Sequence, residues 1–174
     1  ACGDVGMVST LHHLPADTPE ADLLTLLADL NADPAVHGIL VQLPLPPHIR
    51  EAVVIDAVGP LKDVDAFHPE NVGRLVAGVP RYYPCTPFGV VHLLRHHGVE
   101  LAGKEVVVVG RSNIVGKPLA VMLMQKRTAA NPAGCDATVT VAHTGTRHLA
   151  DVCRRADVLV AAAGRAGLVT ADLV

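Results

Sequence analysis

Apolar residues in the first part of the chain fall at helical spacing: Leu23, Leu26, Leu27 and Leu30 share one helix face. Just before them, Thr18-Pro19-Glu20 has the chemistry of a helix start, with Thr18 as N-cap, Pro19 first and Glu20 in the first turn. The short apolar run Gly38-Ile39-Leu40-Val41 reads as a buried strand, halted by Pro44, Pro46 and Pro47, which cannot donate to a ladder. A second helix is predicted over about residues 49–58. A loop-rich stretch follows, centred on Lys62-Asp63-Val64-Asp65-Ala66-Phe67-His68-Pro69. Thr86 then caps a third helix with Pro87 at its first position; Val90, Val91, Leu93 and Leu94 carry its apolar side and Gly98 ends it.

Beyond this helix the period alternates regularly. Strands are predicted over residues 105–109, 137–142 and 158–163, and helices over about 114–124 and 146–156. Continuous Val and Ala runs alternating with helices indicate a parallel sheet with right-handed crossovers. The expected fold is therefore α/β in two parts: an amino-terminal α/β domain over residues 1–84 and a Rossmann-like parallel-sheet domain over 85–174. The boundary is placed near Pro84.

Composition supports this reading. Half of the 174 residues are hydrophobic and 18% are charged, which excludes intrinsic disorder. Aromatic residues make up only 2%, so the core must be built from Leu, Val, Ile and Ala, and base-stacking platforms for nucleic acid are missing. A net charge of −3 gives no electrostatic footprint for nucleic acid or an anionic membrane. No apolar run approaches the roughly 18 residues that a spanning helix needs. Cys2, Cys85, Cys135 and Cys153 lie far apart with no paired spacing, so reduced thiols and a cytoplasmic setting are expected.

The first strand of the second part runs into Gly110-Arg111-Ser112-Asn113-Ile114-Val115-Gly116-Lys117-Pro118, a GxSxxxGxP turn. Gly110 permits a sharp turn, Ser112 offers a hydroxyl and an N–H, and Gly116 permits close approach of helix and sheet. The helix amino end, with free N–H groups and a positive dipole, is then a ready anion site. A turn of this kind also serves as a plain strand-to-helix connection with no ligand. NAD sites usually place a carboxylate at the end of the second strand. Here that strand ends in Val141-Ala142-His143-Thr144, while Arg111 and Arg147 lie nearby. The missing acid and the two guanidinium groups favour a 2′-phosphate, hence NADP; two solvated arginines are the alternative.

In the first part, Gln42 interrupts an apolar strand. It is either a locally satisfied structural amide or an amide aimed into a cleft and held by the prolines that follow. Asp63 and Asp65 alternate with Val64, so in an extended segment they share a face, where one carboxylate can accept paired N–H donors from a heterocycle. A solvated turn is the plainer reading. Ten histidines invite a metal hypothesis, but His92 and His96 enclose no Glu and the pairs His12-His13 and His96-His97 do not share a helix face, so no metal is expected.

Six segments, in order, carry a resemblance to a known family: GILVQLPLP (38–46), KDVDAFHPENVGRL (62–75), PCTPFGVVHLL (84–94), VVVVGRSNIVGKPLA (106–120), ATVTVAHTGT (137–146) and ADVLVAAAGRAG (156–167). Together they resemble the bifunctional methylenetetrahydrofolate dehydrogenase/cyclohydrolase family over nearly the whole chain. The resemblance implies a tetrahydrofolate-binding catalytic domain, a Rossmann-like NADP-binding domain, and substrate in the cleft between them. It implies oxidation of 5,10-methylenetetrahydrofolate with NADP, hydrolysis of the methenyl product to 10-formyltetrahydrofolate, a place in one-carbon metabolism and purine biosynthesis, and a homodimer paired through the Rossmann domain. Gln42 matches the partner of the family's catalytic Lys, and Asp65 the carboxylate that anchors the pterin, with Val41 and Leu43 beside them. Gly110, Arg111, Ser112 and Gly116 match the cofactor turn, and His143 and Thr144 the region near the 2′-phosphate.

The chain also departs from that pattern. The family's Tyr-x-x-x-Lys motif is missing, since the only lysines are Lys62, Lys104, Lys117 and Lys126 and none follows Tyr82 or Tyr83 at that spacing. The expectation is that the chain starts just past this motif and stops before the later Rossmann strands, and that by itself it is nearly inert. Ala66 stands where the family often has Gly, and residues 125–136 form a longer, more polar connection than expected. Two other readings remain: a non-enzymatic dinucleotide-binding module, and another two-domain NADP dehydrogenase acting on a small hydroxy or keto acid.

Overall fold

Val106, Val107, Val108 and Val109 are each at most 2% exposed in the computed structural model, which describes residues 2–174. They form β1 (Glu105–Val109), the middle strand of a parallel three-stranded sheet. On one side lies β2 (Thr138–Ala142) and on the other β3 (Val158–Ala161), with Val107 opposite both Thr140 and Leu159. A strand covered on both faces has no polar side, which explains the unbroken valine run.

The two faces pack against different layers. Val106 and Val108 meet Val91 of α4 (Cys85–His96) and Leu119, Met122 and Leu123 of α5 (Gly116–Met124), using the numbering of helices in chain order. Val107 and Val109 meet Cys153 of α6 (Leu149–Cys153) and Leu173 of a closing 3-10 turn. Each Val or Leu side chain fully removed from water contributes about 1.5–3 kcal/mol, so these two clusters hold the sheet between its helices.

The first half has its own core. Leu23 and Leu27 of α1 (Glu20–Ala32), Val54 of α2 (Glu51–Ala57), Ile39, Ile49 and Val58 are all buried together. Asn31 ties the two helices, donating to the Ala57 carbonyl at 2.7 Å and accepting from the Gly59 N–H at 2.8 Å. Lys62 Nζ donates to the carbonyls of Leu30, Asn31 and Asp33 at 2.9, 2.8 and 2.7 Å, satisfying the orphan acceptors at the end of α1.

Several sequence expectations need correction. The predicted strand at 38–41 is reduced to one parallel bridge between Ile39 and Asp63, because among the described residues only that segment pairs with it. Thr18 does not cap α1: its hydroxyl donates to the Pro15 carbonyl at 2.7 Å and Pro19 occupies the cap position. Thr86 lies inside α4, which begins at Cys85 after Pro84. The loop-rich stretch hides a helix, α3 (Pro69–Val76), with only Leu75 as a buried apolar residue. It starts because Pro69 fits the first position and His68 Nδ1 accepts from the Glu70 N–H at 3.1 Å. The helix predicted over 146–156 spans only Leu149–Cys153.

Candidate functional site

Gly110 leaves β1 with a φ of 138°, its N–H bonded to the Ala142 carbonyl at 2.8 Å. A Cβ there would lie 2.6 Å from the Ala162 carbonyl carbon, so backbone from the end of β3 presses directly on the turn. A Cβ on Gly116 would lie 2.6 Å from the Gly110 carbonyl carbon. The two glycines thus stack the start of α5 on the turn and the turn on β3, an arrangement no larger residue permits.

Ser112 Oγ accepts from the N–H groups of Val115 and Gly116 at 3.1 and 3.3 Å. Its oxygen caps α5 while its O–H proton remains free to donate outward. Ser112, Val115, Thr86, Val90 and residues 160–164 line an open crevice of about 480 Å³ at the carboxyl ends of β1 and β3. In a sheet of order β2-β1-β3 the strand order reverses between β1 and β3. Crevices at such switch points are where doubly wound sheets bind ligands.

Of the remaining cofactor candidates, Arg111 lies in the turn itself and His143 and Thr144 follow the end of β2, whose Ala142 carbonyl bonds the Gly110 N–H; none of the three is among the crevice-lining residues. Arg111 and Thr144 are exposed, as is Arg147. His143 is half-buried: its Nδ1 accepts from the Gly145 N–H at 3.0 Å and its backbone N–H donates to Thr146 Oγ1 at 2.8 Å. Among the described residues, no carboxylate lines the crevice.

A second, narrow recess, of about 20 Å³, is lined by Ile39, Val41, Leu43, Ile55, Val58, Asp63, Asp65 and Phe67. Val41, Leu43 and Asp65 thus share one recess. Gln42 does not line the recess. It is exposed rather than buried, and its Nε2 donates to the Leu43 carbonyl at 2.9 Å. Alternation puts it on the other side of the chain from Val41 and Leu43.

The two aspartates share the recess and divide its roles. Asp63 is buried and accepts from the His68 N–H at 2.9 Å and from Asn71 Nδ2 at 2.8 Å. It is committed to the fold. Burial pushes the Asp65 carboxyl above its ordinary value; a hydrogen bond from the Cys85 thiol opposes this and the Asp63 charge adds to it. The Cys85 thiol is in turn pushed up by burial and by the neighbouring Asp65 charge, so it remains a protonated donor. Cys85 Sγ lies 4.0 Å from the Val64 carbonyl, between the two aspartates in the chain, while the next residue, Thr86, lines the crevice. The two cavities meet at the first turn of α4.

Sequence reasoning missed Thr86, Val90 and the end of β3 as crevice walls. The signal was the small-residue run Ala161-Ala162-Ala163-Gly164, whose last member has a φ of 62°. None of the four lysines is among the residues lining the recess: Lys62 is tied to α1, Lys117 Nζ to Asn113 Oδ1 at 2.7 Å, and Lys104 pairs with Asp157 at 3.6 Å.

A parallel sheet with a glycine turn feeding a helix at its switch point defines the doubly wound α/β class of nucleotide-binding fold. Within it, the chain belongs to the tetrahydrofolate dehydrogenase/cyclohydrolase family: residues 84–174 match that family's NAD(P)-binding domain and residues 1–65 its catalytic domain. It is 55% identical to the bifunctional protein FolD of Rhodopirellula baltica, over 100% of this chain and 60% of that protein. Against the FolD of Moorella thermoacetica it is 53% identical, over 100% of this chain and 59% of that protein. Among solved structures, a 5,10-methylenetetrahydrofolate dehydrogenase from the silkworm Bombyx mori superposes with a TM-score of 0.94 at 40% identity, covering 99% of this chain and 61% of that one. The Trypanosoma brucei methylenetetrahydrofolate dehydrogenase-cyclohydrolase, complexed with NADP cofactor and inhibitor, gives 0.84 at 41% identity over 97% and 55% of the two chains. The chain thus spans about 60% of the length of the curated relatives it matches.

Proposed function

We propose that this chain binds NADP at the Gly110–Ser112 turn and a tetrahydrofolate derivative in the Asp65 recess. The reaction served is oxidation of 5,10-methylenetetrahydrofolate to the methenyl cation, followed by hydrolysis to 10-formyltetrahydrofolate. One observation carries this reading: Cys85 Sγ reaches the Val64 carbonyl, next to Asp65 in the chain, at 4.0 Å while Thr86 lines the nucleotide crevice, so the two ligand sites lie on either side of the first turn of α4. Hydride transfer requires such adjacency, because the reacting atoms must approach within about 3–3.5 Å.

The residues fit their ligands chemically. The close glycine stack and the free Ser112 proton suit a pyrophosphate at the start of α5. Arg111, Thr144 and Arg147 are polar, exposed and without an opposing acid in the crevice, which suits a 2′-phosphate. When bound, the nicotinamide supplies the hydride acceptor. Asp65, in its ionised form, accepts the adjacent N–H donors of the pterin, and Val41, Leu43 and Phe67 exclude water beside it. In the second half-reaction water adds to the methenyl carbon, a proton leaves, and the bond to one folate nitrogen breaks. Gln42, exposed at the rim, is assigned to orient the group that takes that proton. With no lysine of this chain at the recess, the polypeptide is expected to bind both ligands and turn over very slowly.

Domain limits at 1–84 and 85–174, a homodimer through the second domain, a cytoplasmic location and a role in purine biosynthesis complete the proposal. The end position of β2, with Val141 37% exposed, supports pairing through the second domain. Four free cysteines support a reducing compartment. No helix among the described residues is long and apolar enough to cross a membrane. The second reading, a non-enzymatic dinucleotide module, draws on the same lack of a recess lysine. Calorimetric titration with tetrahydrofolate and with NADP+ separates them: binding of both, with the folate signal lost in Asp65→Asn, is expected. Binding of NADP+ alone would favour the module.

A further inference from the structure

The long polar connection over residues 125–136 is built around Asn131, which is 3% exposed. A buried amide is costly unless paired, and this one is fully engaged. Its Nδ2 donates to Gln125 Oε1 at 2.6 Å and its Oδ1 accepts from the Tyr83 hydroxyl at 2.9 Å. Gln125 Nε2 continues the chain of bonds to the Leu75 and Val76 carbonyls at the end of α3, at 2.5 and 3.2 Å. Leu75, Val76 and Tyr83 flank the segment 77–82, which joins α3 to α4 and so joins the recess half to the crevice half. One pair of side chains therefore clamps both ends of that joint.

Residues within the joint divide between the halves. Arg81 Nη1 donates to Asn71 Oδ1 at 3.0 Å, and Asn71 holds the recess residue Asp63. Tyr82 donates to the Leu61 carbonyl at 2.7 Å. Tyr83, the next residue, turns to Asn131, and its ring stacks on Phe88 of α4 with centroids 4.8 Å apart. Two hydrogen-bonded runs, Asp63–Asn71–Arg81 and Tyr83–Asn131–Gln125, are thus linked through the backbone of residues 81–83 into one path from the recess to the end of α5.

We propose that this path is a strut that fixes the separation of the two ligand sites, with Tyr83 and Asn131 as positioning residues. The inference rests on the two-ligand reading above. A joint that holds the two sites at contact distance lets the bound ligands touch, so the two bind with positive coupling, a property typically worth about 5- to 150-fold in affinity. A joint without the strut opens locally and loses the coupling, while each pocket keeps its own walls.

The test measures NADP+ affinity with and without saturating tetrahydrofolate, for the parent chain and for Tyr83→Phe, which removes one hydroxyl and keeps the aromatic stack. Asn131→Ala is the second variant. Hydrogen exchange at Gly78 and Val79 is followed in parallel. The expected result is at least fivefold coupling in the parent, falling to under twofold in Tyr83→Phe, with each ligand alone binding within twofold of parent. Exchange at Gly78 and Val79 should rise about tenfold with β1 amides unchanged. Coupling that survives in both variants, or a parent chain with no coupling, overturns the strut while leaving the two-ligand reading intact. Failure of the parent to bind either ligand overturns both. A uniform rise in exchange across β1 would mark Tyr83 as a general stabiliser and overturn its positioning role.

Discussion

Gly116 packs against the Gly110 carbonyl so closely that a Cβ would stand 2.6 Å from its carbon. The obstacle is backbone, which cannot swing aside as a long side chain can. Gly116→Ala must therefore push the start of α5 away from the turn. Overpacking of this kind costs about 1–3 kcal/mol. Chemical denaturation should show that loss, and NADP+ titration should show at least tenfold weaker binding. Unchanged NADP+ affinity would mean that close helix approach is not what builds the anion site.

Asp65 titrates above 3.8, chiefly because burial disfavours its charge. Its raised value means that the folded chain holds a proton the unfolded chain has released. Its contribution to stability is therefore greatest below 3.8 and declines as pH rises through the raised value. Folate binding runs the other way, strengthening over the same window as the accepting carboxylate forms. The Cys85 thiol opposes the shift, so Cys85→Ala should move the midpoint higher still. Carboxyl NMR titration checks this; a midpoint unmoved by Cys85→Ala would remove the thiol from the account.

Ala66 is 1% exposed and sits at a φ of 57°, in the left-handed region. Side-chain-bearing residues pay about 1–2 kcal/mol there, whereas glycine does not. Ala66→Gly also loosens the unfolded chain, by about 0.4–1 kcal/mol. The balance predicts a small gain of roughly 0.5 kcal/mol, read as a higher urea midpoint with an unchanged slope. A lower midpoint would show that packing of the Ala66 methyl outweighs the backbone strain.

Glu20 and Arg50 join the starts of α1 and α2 through a side-chain ion pair, and Glu20 also accepts from the Arg50 N–H at 2.7 Å. The hydrogen bonds from Arg50 lower the Glu20 carboxyl from 4.5 to about 2. A depressed acid stabilises the fold above its unfolded value, and that support disappears as pH falls from 4.5 to about 2. Glu20→Gln should flatten the acid limb of the stability curve in that window. An acid limb identical to the parent's would assign the loss to other carboxylates.

Much of the second half was legible along the chain. β1 matches its predicted bounds, and β2 and β3 begin within one residue of theirs, since a doubly covered strand must be apolar throughout and so announces itself. The Gly110 turn was legible for a related reason: its φ and its close packing exclude nearly every other residue. The first half was harder to read. α3 has one buried apolar residue and is held by a His68 cap and the Asp63–Asn71 bond, neither of which leaves a periodic pattern.

The sequence by itself determined the alternation of strands and helices, the glycine turn and the presence of a carboxylate pair, because each follows from local sterics or from short-range periodicity. Only the tertiary structure decided which aspartate is committed to the fold and which faces the recess. It also placed Gln42 outside that recess and Thr86 in the crevice wall. Those outcomes depend on contacts between segments far apart in the chain, such as Lys62 with α1 and Asn131 with Tyr83. Desolvation and hydrogen-bond partners are set by what packs around a group, and no spacing along the chain encodes that.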